Sequence, residues 1–206
     1  MEGFYVPVLN EREIRASAGI LFLGMFISLM LILFKGNFLV IKYFIILFLI
    51  DMLIRVFVNP KFSPFLIIGR IIVSKQVPEY VGAPQKKFAW KIGILLASLM
   101  FTLLVVLNSY SIITGLGCLI CLIFLFFESA FGICLGCLIF PLFYKDKAKY
   151  CAGEVCEVRV KEEIQKTSWA QIFILILSVV FLILLFILFN NSFSKNPVDL
   201  WSIISF

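Results

Sequence analysis

The stretch ASAGILFLGMFISLMLILF (residues 16–34), followed by Lys35, Gly36 and Asn37 and then by FLVIKYFIILFLIDMLIRVFV (residues 38–58), decides the fold. Each apolar run is about 20 residues, the length a helix needs to cross about 30 Å of hydrocarbon. Three residues between the runs allow only a sharp reversal, so the two predict an antiparallel hairpin of membrane-spanning helices. Runs of the same kind at residues 88–107, 112–131 and 169–189 bring the count to five. The third and fourth are joined by Asn108, Ser109, Tyr110 and Ser111 alone, which makes a second hairpin. The predicted fold class is all-α: a polytopic transmembrane helical bundle of about five spans with an added interfacial helix.

Composition points the same way. Of the 206 residues 63% are hydrophobic and 15% charged, against an apolar share of roughly 45–50% in soluble domains. The chain has no His, which removes His-held haem, His-containing zinc sites and the usual proton shuttle at neutral pH. Any metal would rest on Cys, carboxylate or backbone. Six cysteines in a lipid-embedded chain do not read as the disulfide framework of a small secreted domain. Glu2, Glu11, Arg12, Glu13 and Arg15 precede a long apolar run, so the first span is expected to remain as an anchor, with no cleavage of a leader.

Basic residues are unevenly placed. Lys61, Arg70, Lys75, Lys86, Lys87 and Lys91 precede span three, and Lys145, Lys147, Lys149, Arg159, Lys161 and Lys166 precede span five. The alternate connections hold Lys35 or none, so the N-terminus is expected in the cytoplasm and the C-terminus outside. The net charge of +6 then serves topology and anionic lipid, with the bilayer as the expected partner and nucleic acid excluded. Between spans two and three, Pro60, Pro64, Pro78 and Pro84 bracket an apolar segment at 63–77 that carries Arg70 and Lys75, as an interfacial helix would. Lys42, near the outer end of span two, is expected to snorkel to the interface. The organisation is then a four-span core at 1–142, a cytoplasmic cysteine-containing loop at 143–168, and a fifth span with an external tail at 169–206.

The chemistry-bearing stretch runs from Glu128 to Cys137. Cys134 and Cys137 form a C-x-x-C, about 60° apart on a helix, a spacing that suits redox exchange or paired metal ligation. Glu128, a candidate proton acceptor, lies six and nine residues earlier, about 240° and 180° away on an unbroken helix. Acid and thiols meet only where the helix breaks, and Gly132 and Gly136 supply the places. Cys118 and Cys121 form a second C-x-x-C that reads as packing. Thirteen residues, about 20 Å of straight helix, hold Cys121 away from Cys134. Cys134, Cys137, Cys151 and Cys156 together have a spacing that allows a zinc, copper or iron site, or a disulfide relay. Asp51 and Arg55, four residues apart on span two, predict a buried ion pair that holds the fold. The competing reading of the cysteines and glycines is close packing of small residues between helices.

From about residue 10 to 142 the chain resembles an uncharacterised family of bacterial integral-membrane proteins, a domain of unknown function. The likeness is carried by Asp51, Arg55 and Phe57, by Pro60-Lys61-Phe62-Ser63-Pro64, and by Lys87-Phe88-Ala89 with Ile92-Gly93. Its most specific part is Glu-x-x-Phe-Gly-x-Cys-x-Gly-Cys, at Glu128, Phe131, Gly132, Cys134, Gly136 and Cys137. The resemblance implies a four-span core of unassigned activity, and the link of such proteins to thioredoxin-like or sulfur-transfer domains implies thiol chemistry. The Cys151 to Cys156 loop and the fifth span lie outside the shared region. The expected function is thiol-disulfide exchange or sulfur handling at the cytoplasmic end of span four, in a bacterial inner membrane. A quinone, a thioredoxin-like protein or a sulfurtransferase would be the other participant. Soft-metal binding or transport through the four cysteines and a non-catalytic scaffold are the alternatives.

Overall fold

The computed structural model describes residues 8–136 and 168–200. A short strand, β1 (Val8–Asn10), leads into α1 (Glu11–Lys35). Asn10 caps that helix by accepting the Arg12 N–H, and Glu11 and Glu13 in the first turn complement the positive end of its dipole. Gly36 ends it by donating to Ile32 O at 2.9 Å. The chain then returns as α2 (Leu39–Leu53), whose last turns widen into π geometry at Ile54–Val58, so residues 39–58 are helical without a break. After a 3-10 turn (Pro60–Phe62) comes α3 (Pro64–Ile72), capped by Ser63, with Pro64 in the first turn where no backbone donor is needed.

Strand β2 (Tyr80–Gly82) pairs antiparallel with β1, Val8 opposite Gly82 and Asn10 opposite Tyr80. Since α4 (Ala83–Met100) starts where β2 stops and α1 starts where β1 stops, this small ribbon sets the first turns of α1 and α4 side by side. α4 also ends in π geometry, at Phe101–Val106. β3 (Ser109–Tyr110) and a capping box of Ser111 and Thr114 introduce α5 (Ile112–Phe126), which runs into a third π turn at Phe127–Phe131. α6 (Trp169–Phe193) follows, and β4 (Val198–Asp199) pairs parallel with β3.

Among the described residues four helices are long and apolar enough to cross a bilayer: Glu11–Lys35, Ala83–Val106, Ile112–Phe131 and Trp169–Phe193. The helix over 39–58 has a comparable length but carries Lys42, Asp51 and Arg55, each of them buried in the protein. The chain is therefore an all-α bundle of the kind its hydropathy predicts, with one helix that keeps its charges inside. The expected interfacial segment is helical only over Pro64–Ile72. It packs on α1, burying Leu66, Ile67 and Arg70 and leaving Ile71 and Ile72 exposed.

The core runs between α1, α2, α4 and α5, with Leu21, Ile41, Ile45, Phe48, Trp90 and Met100 among its buried residues. In hydrocarbon these helices gain little by hiding apolar surface, so packing and bonds between helices must hold them. α6 lies outside this core and buries only Gln171 and Phe193. One expectation is overturned at the far end of the bundle. Lys42 does not snorkel: it is 1% exposed and donates to Asn108 Oδ1, Phe193 O and Lys195 O at 2.7, 3.1 and 2.9 Å. Asn108 and the end of α6 supply its acceptors inside the protein.

Candidate functional site

The β1–β2 ribbon brings Glu11, the first residue of α1, against Lys86 in the first turn of α4. Lys86 Nζ lies 2.7 Å from Glu11 Oε2 and 2.6 Å from Glu128 Oε1, the latter carried by the π turn that ends α5. The three side chains are 4%, 3% and 14% exposed, so one ammonium holds two carboxylates in a poorly hydrated setting. Breaking such a group is costly because the partner left behind stays charged and buried.

A second ion pair stands beside it. Arg55 Nη2 is 2.6 Å from Asp51 Oδ2, one helical turn earlier. Arg55 also donates to Ser63 Oγ at 3.1 Å and Ser17 Oγ at 2.7 Å, and its guanidinium lies 5.5 Å from the centre of the Trp90 ring. Asp51 Oδ1 accepts from Ser63 Oγ at 2.6 Å and from the Phe65 N–H at 3.1 Å. The pair thus ties α2 to α1, to α4 and to the start of α3. A planar guanidinium with several fixed donors suits this task better than an ammonium.

A third pair, Glu13 with Arg70 at 3.1 Å, joins α1 to α3. At this end of the bundle Glu11, Glu13, Asp51 and Glu128 therefore meet Arg55, Arg70 and Lys86, with Arg15 as a fourth cation over Gly132. The buried acids here are thus each set against a buried base, and the half-buried Arg12–Glu79 pair lies beside them. Charge balance is what makes ions tolerable at membrane depth.

The helix of Glu128 stops at Gly132, whose φ of +68° lies in the left-handed region that only glycine enters without strain. A Cβ there would also stand 3.0 Å from Arg15 Cζ. The reversal turns the following residues back towards the bundle, and Gly136 seats them on α4, so close that a Cβ would fall 2.5 Å from Ala89 Cβ. Cys134 is consequently buried, 7% exposed. It lines a cavity of about 70 Å³ together with Arg55, Lys86, Trp90, Cys121 and Glu128.

Cys121 lines the same cavity. Thirteen residues are about 20 Å only on a straight helix, and here the chain turns back at Gly132 to a cavity wall that Cys121 shares. Cys118 faces Met100, with its Sγ 3.9 Å from Met100 Sδ, and packs in the core. Cys137, Cys151 and Cys156 lie outside the described residues. Among the described residues no group of three or more Cys, Asp or Glu side chains is arranged to hold a metal.

Sequence reasoning missed Glu11, Glu13 and Lys86 as members of this cluster, having counted them only as flanking charge. A signal was present. Acids at the start of span one lie on the side where the Lys-rich flank of span three also begins, and such opposite charges next to hydrocarbon seek each other. No curated protein and no solved structure matches the chain. Residues 9–145 match a domain of unknown function (DUF4395), a region that takes in α1 to α5, the ion pairs and Cys134. Since the match covers more than half of the 206 residues, the chain belongs to that family.

Proposed function

We propose that this protein is a thiol-disulfide carrier of the bacterial cytoplasmic membrane, with Cys134 and Cys137 as its redox pair at the cytoplasmic end of α5. The observation that supports the reading is the placement of Cys134 in one small cavity with Glu128 and Lys86. The side of the bundle with the Lys-rich flanks is taken as cytoplasmic from the distribution of basic residues.

The exchange is with a protein disulfide of thioredoxin-like class. Cys137 as thiolate attacks one sulfur of the partner disulfide, forming a mixed disulfide and releasing the first partner thiolate. Glu128 accepts the proton of the Cys134 thiol, and the Cys134 thiolate attacks Cys137 Sγ. That closes the Cys134–Cys137 disulfide and expels the second partner thiolate. Glu128 passes the Cys134 proton to the departing partner thiolate, and the proton that Cys137 lost on ionising reaches the other partner thiolate through solvent, so two electrons and two protons leave this chain and the partner becomes a dithiol. The reverse sequence oxidises the partner. Cys134 is assigned the closing step because it is buried, where a bulky partner does not reach. A quinone fits less well, since a 70 Å³ cavity is well below the roughly 150 Å³ that admits a benzene ring.

The test is alkylation of membranes with a mass-adding maleimide after oxidation or reduction. The reading expects a shift of two thiols that disappears in Cys134→Ser and in Cys137→Ser. An identical, fully reduced pattern under every oxidant would remove it. Metal analysis of the purified protein separates the soft-metal alternative: stoichiometric zinc, copper or iron that is lost in Cys151→Ser would favour ligation over redox exchange.

A further inference from the structure

The far end of the bundle holds a buried cation, Lys42, that no carboxylate of the described residues balances. Lys42 sits four residues, about 6 Å, into the helix over 39–58, and its three N–H groups go to Asn108 Oδ1, Phe193 O and Lys195 O. These neutral acceptors satisfy its hydrogen bonds and leave its charge uncompensated. Among the described residues it forms no ion pair, unlike Arg55, Arg70 and Lys86 at the opposite end. A lone buried charge in such a place is expensive.

Beside Lys42 lies an open cavity of about 500 Å³. Among the described residues its apolar walls include Ile46, Phe101, Val105, Leu185 and Phe189, and its polar lining is Lys42, Asn108, Ser192 and Lys195, with no acid. Asp199, on β4, is not part of the described lining. The volume falls in the range of roughly 300–1,000 Å³ typical of ligand sites. Apolar walls with two cations at one rim, at the depth where a helix leaves hydrocarbon, match the acyl chain and phosphate of an anionic phospholipid.

We propose that this cavity, between α2, the π turn of α4 and the end of α6, is a specific site for one anionic phospholipid of the outer leaflet. Its phosphate lies towards Lys195 and Asn108, and its negative charge offsets Lys42. An acyl chain occupies the apolar part. The site is independent of the thiol reading and stands or falls separately from it.

The experiment uses the full chain purified in mild detergent, with native mass spectrometry after titration with phosphatidylglycerol or phosphatidylcholine of the same acyl length. One phosphatidylglycerol per chain is expected, bound at least about tenfold more tightly than phosphatidylcholine. Val105→Trp, which fills the cavity, abolishes binding, and Lys195→Gln weakens it severalfold without disturbing the Lys195 carbonyl that Lys42 uses. Equal binding of the two lipids, or phosphatidylglycerol binding unchanged in Val105→Trp and Lys195→Gln, would overturn the proposal. Inorganic phosphate competing as well as phosphatidylglycerol would also overturn it, since the apolar wall would then contribute nothing.

Discussion

Lys86 Nζ lies 2.6 Å from Glu128 Oε1, which joins the first turn of α4 to the last turns of α5. The same ammonium holds Glu11 at the start of α1, so three helices meet on one charge. Where lipid removes the usual reward for burying apolar surface, this group and its neighbour Asp51–Arg55 specify which helix ends come together.

Lys86→Met is accordingly expected to leave Glu11 and Glu128 buried as like charges. The loss should be about 3–5 kcal/mol, read as a lower unfolding midpoint in a detergent and denaturant titration. Adding Glu128→Gln should restore part of it, because one of the two orphaned charges is removed. Additive losses in the double variant would show that the two residues do not interact.

Asp51→Asn and Arg55→Met should each cost about 3 kcal/mol or more, with a much smaller loss when both are combined. Arg55→Lys should not rescue, since one ammonium cannot reproduce the fixed contacts to Asp51, Ser63 and Ser17. Chemical unfolding of the four proteins checks this. Full rescue by Lys would reduce Arg55 to a point charge.

Gly132→Ala puts a side chain at φ +68° and against the Arg15 guanidinium. The backbone term is about 1–2 kcal/mol, and Arg15 can swing away, so folding survives. The turn shifts, and maleimide labelling of Cys134 should quicken severalfold while that of Cys118 stays constant. Gly115→Ala, where a Cβ meets nothing within 4 Å, is the neutral control. Equal labelling rates in all three proteins would mean that the Gly132 turn does not set the exposure of Cys134.

Lys42→Met should strand Asn108 Oδ1, Phe193 O and Lys195 O without their donor, at about 1–3 kcal/mol for each buried acceptor that water does not reach. Hydrogen exchange should rise at Phe193 to Lys195 and in β4, and not in α1. Unchanged protection there would mean that packing of Tyr43 against Phe186 and Phe193 is enough to dock the end of α6.

The bundle was legible because lipid imposes a simple rule: long apolar runs become helices, and Lys35-Gly36-Asn37 is too short for anything but a reversal. Helix arithmetic likewise separates Glu128 from Cys134 and leaves Gly132 as the hinge, where the structure has its left-handed residue. The partners of Lys86 were not legible. They depend on the three-residue ribbon of Val8–Asn10 with Tyr80–Gly82, too short to show any periodicity against the spans on either side. That Cys121 and Cys134 line one cavity was not legible either, since it depends on the turn at Gly132. Lys42 was misread because its three acceptors are 66, 151 and 153 residues away in sequence.

The most direct measurement is a redox titration of the chain in which Cys118, Cys121, Cys151 and Cys156 are replaced by Ala, equilibrated in glutathione buffers and read by peptide mass spectrometry. A Cys134–Cys137 disulfide that forms along a two-electron Nernst curve, with its midpoint displaced in Lys86→Met, is the result the thiol-carrier account predicts. Cys134 and Cys137 that stay as separate thiols or separate glutathione adducts across the whole range would contradict it.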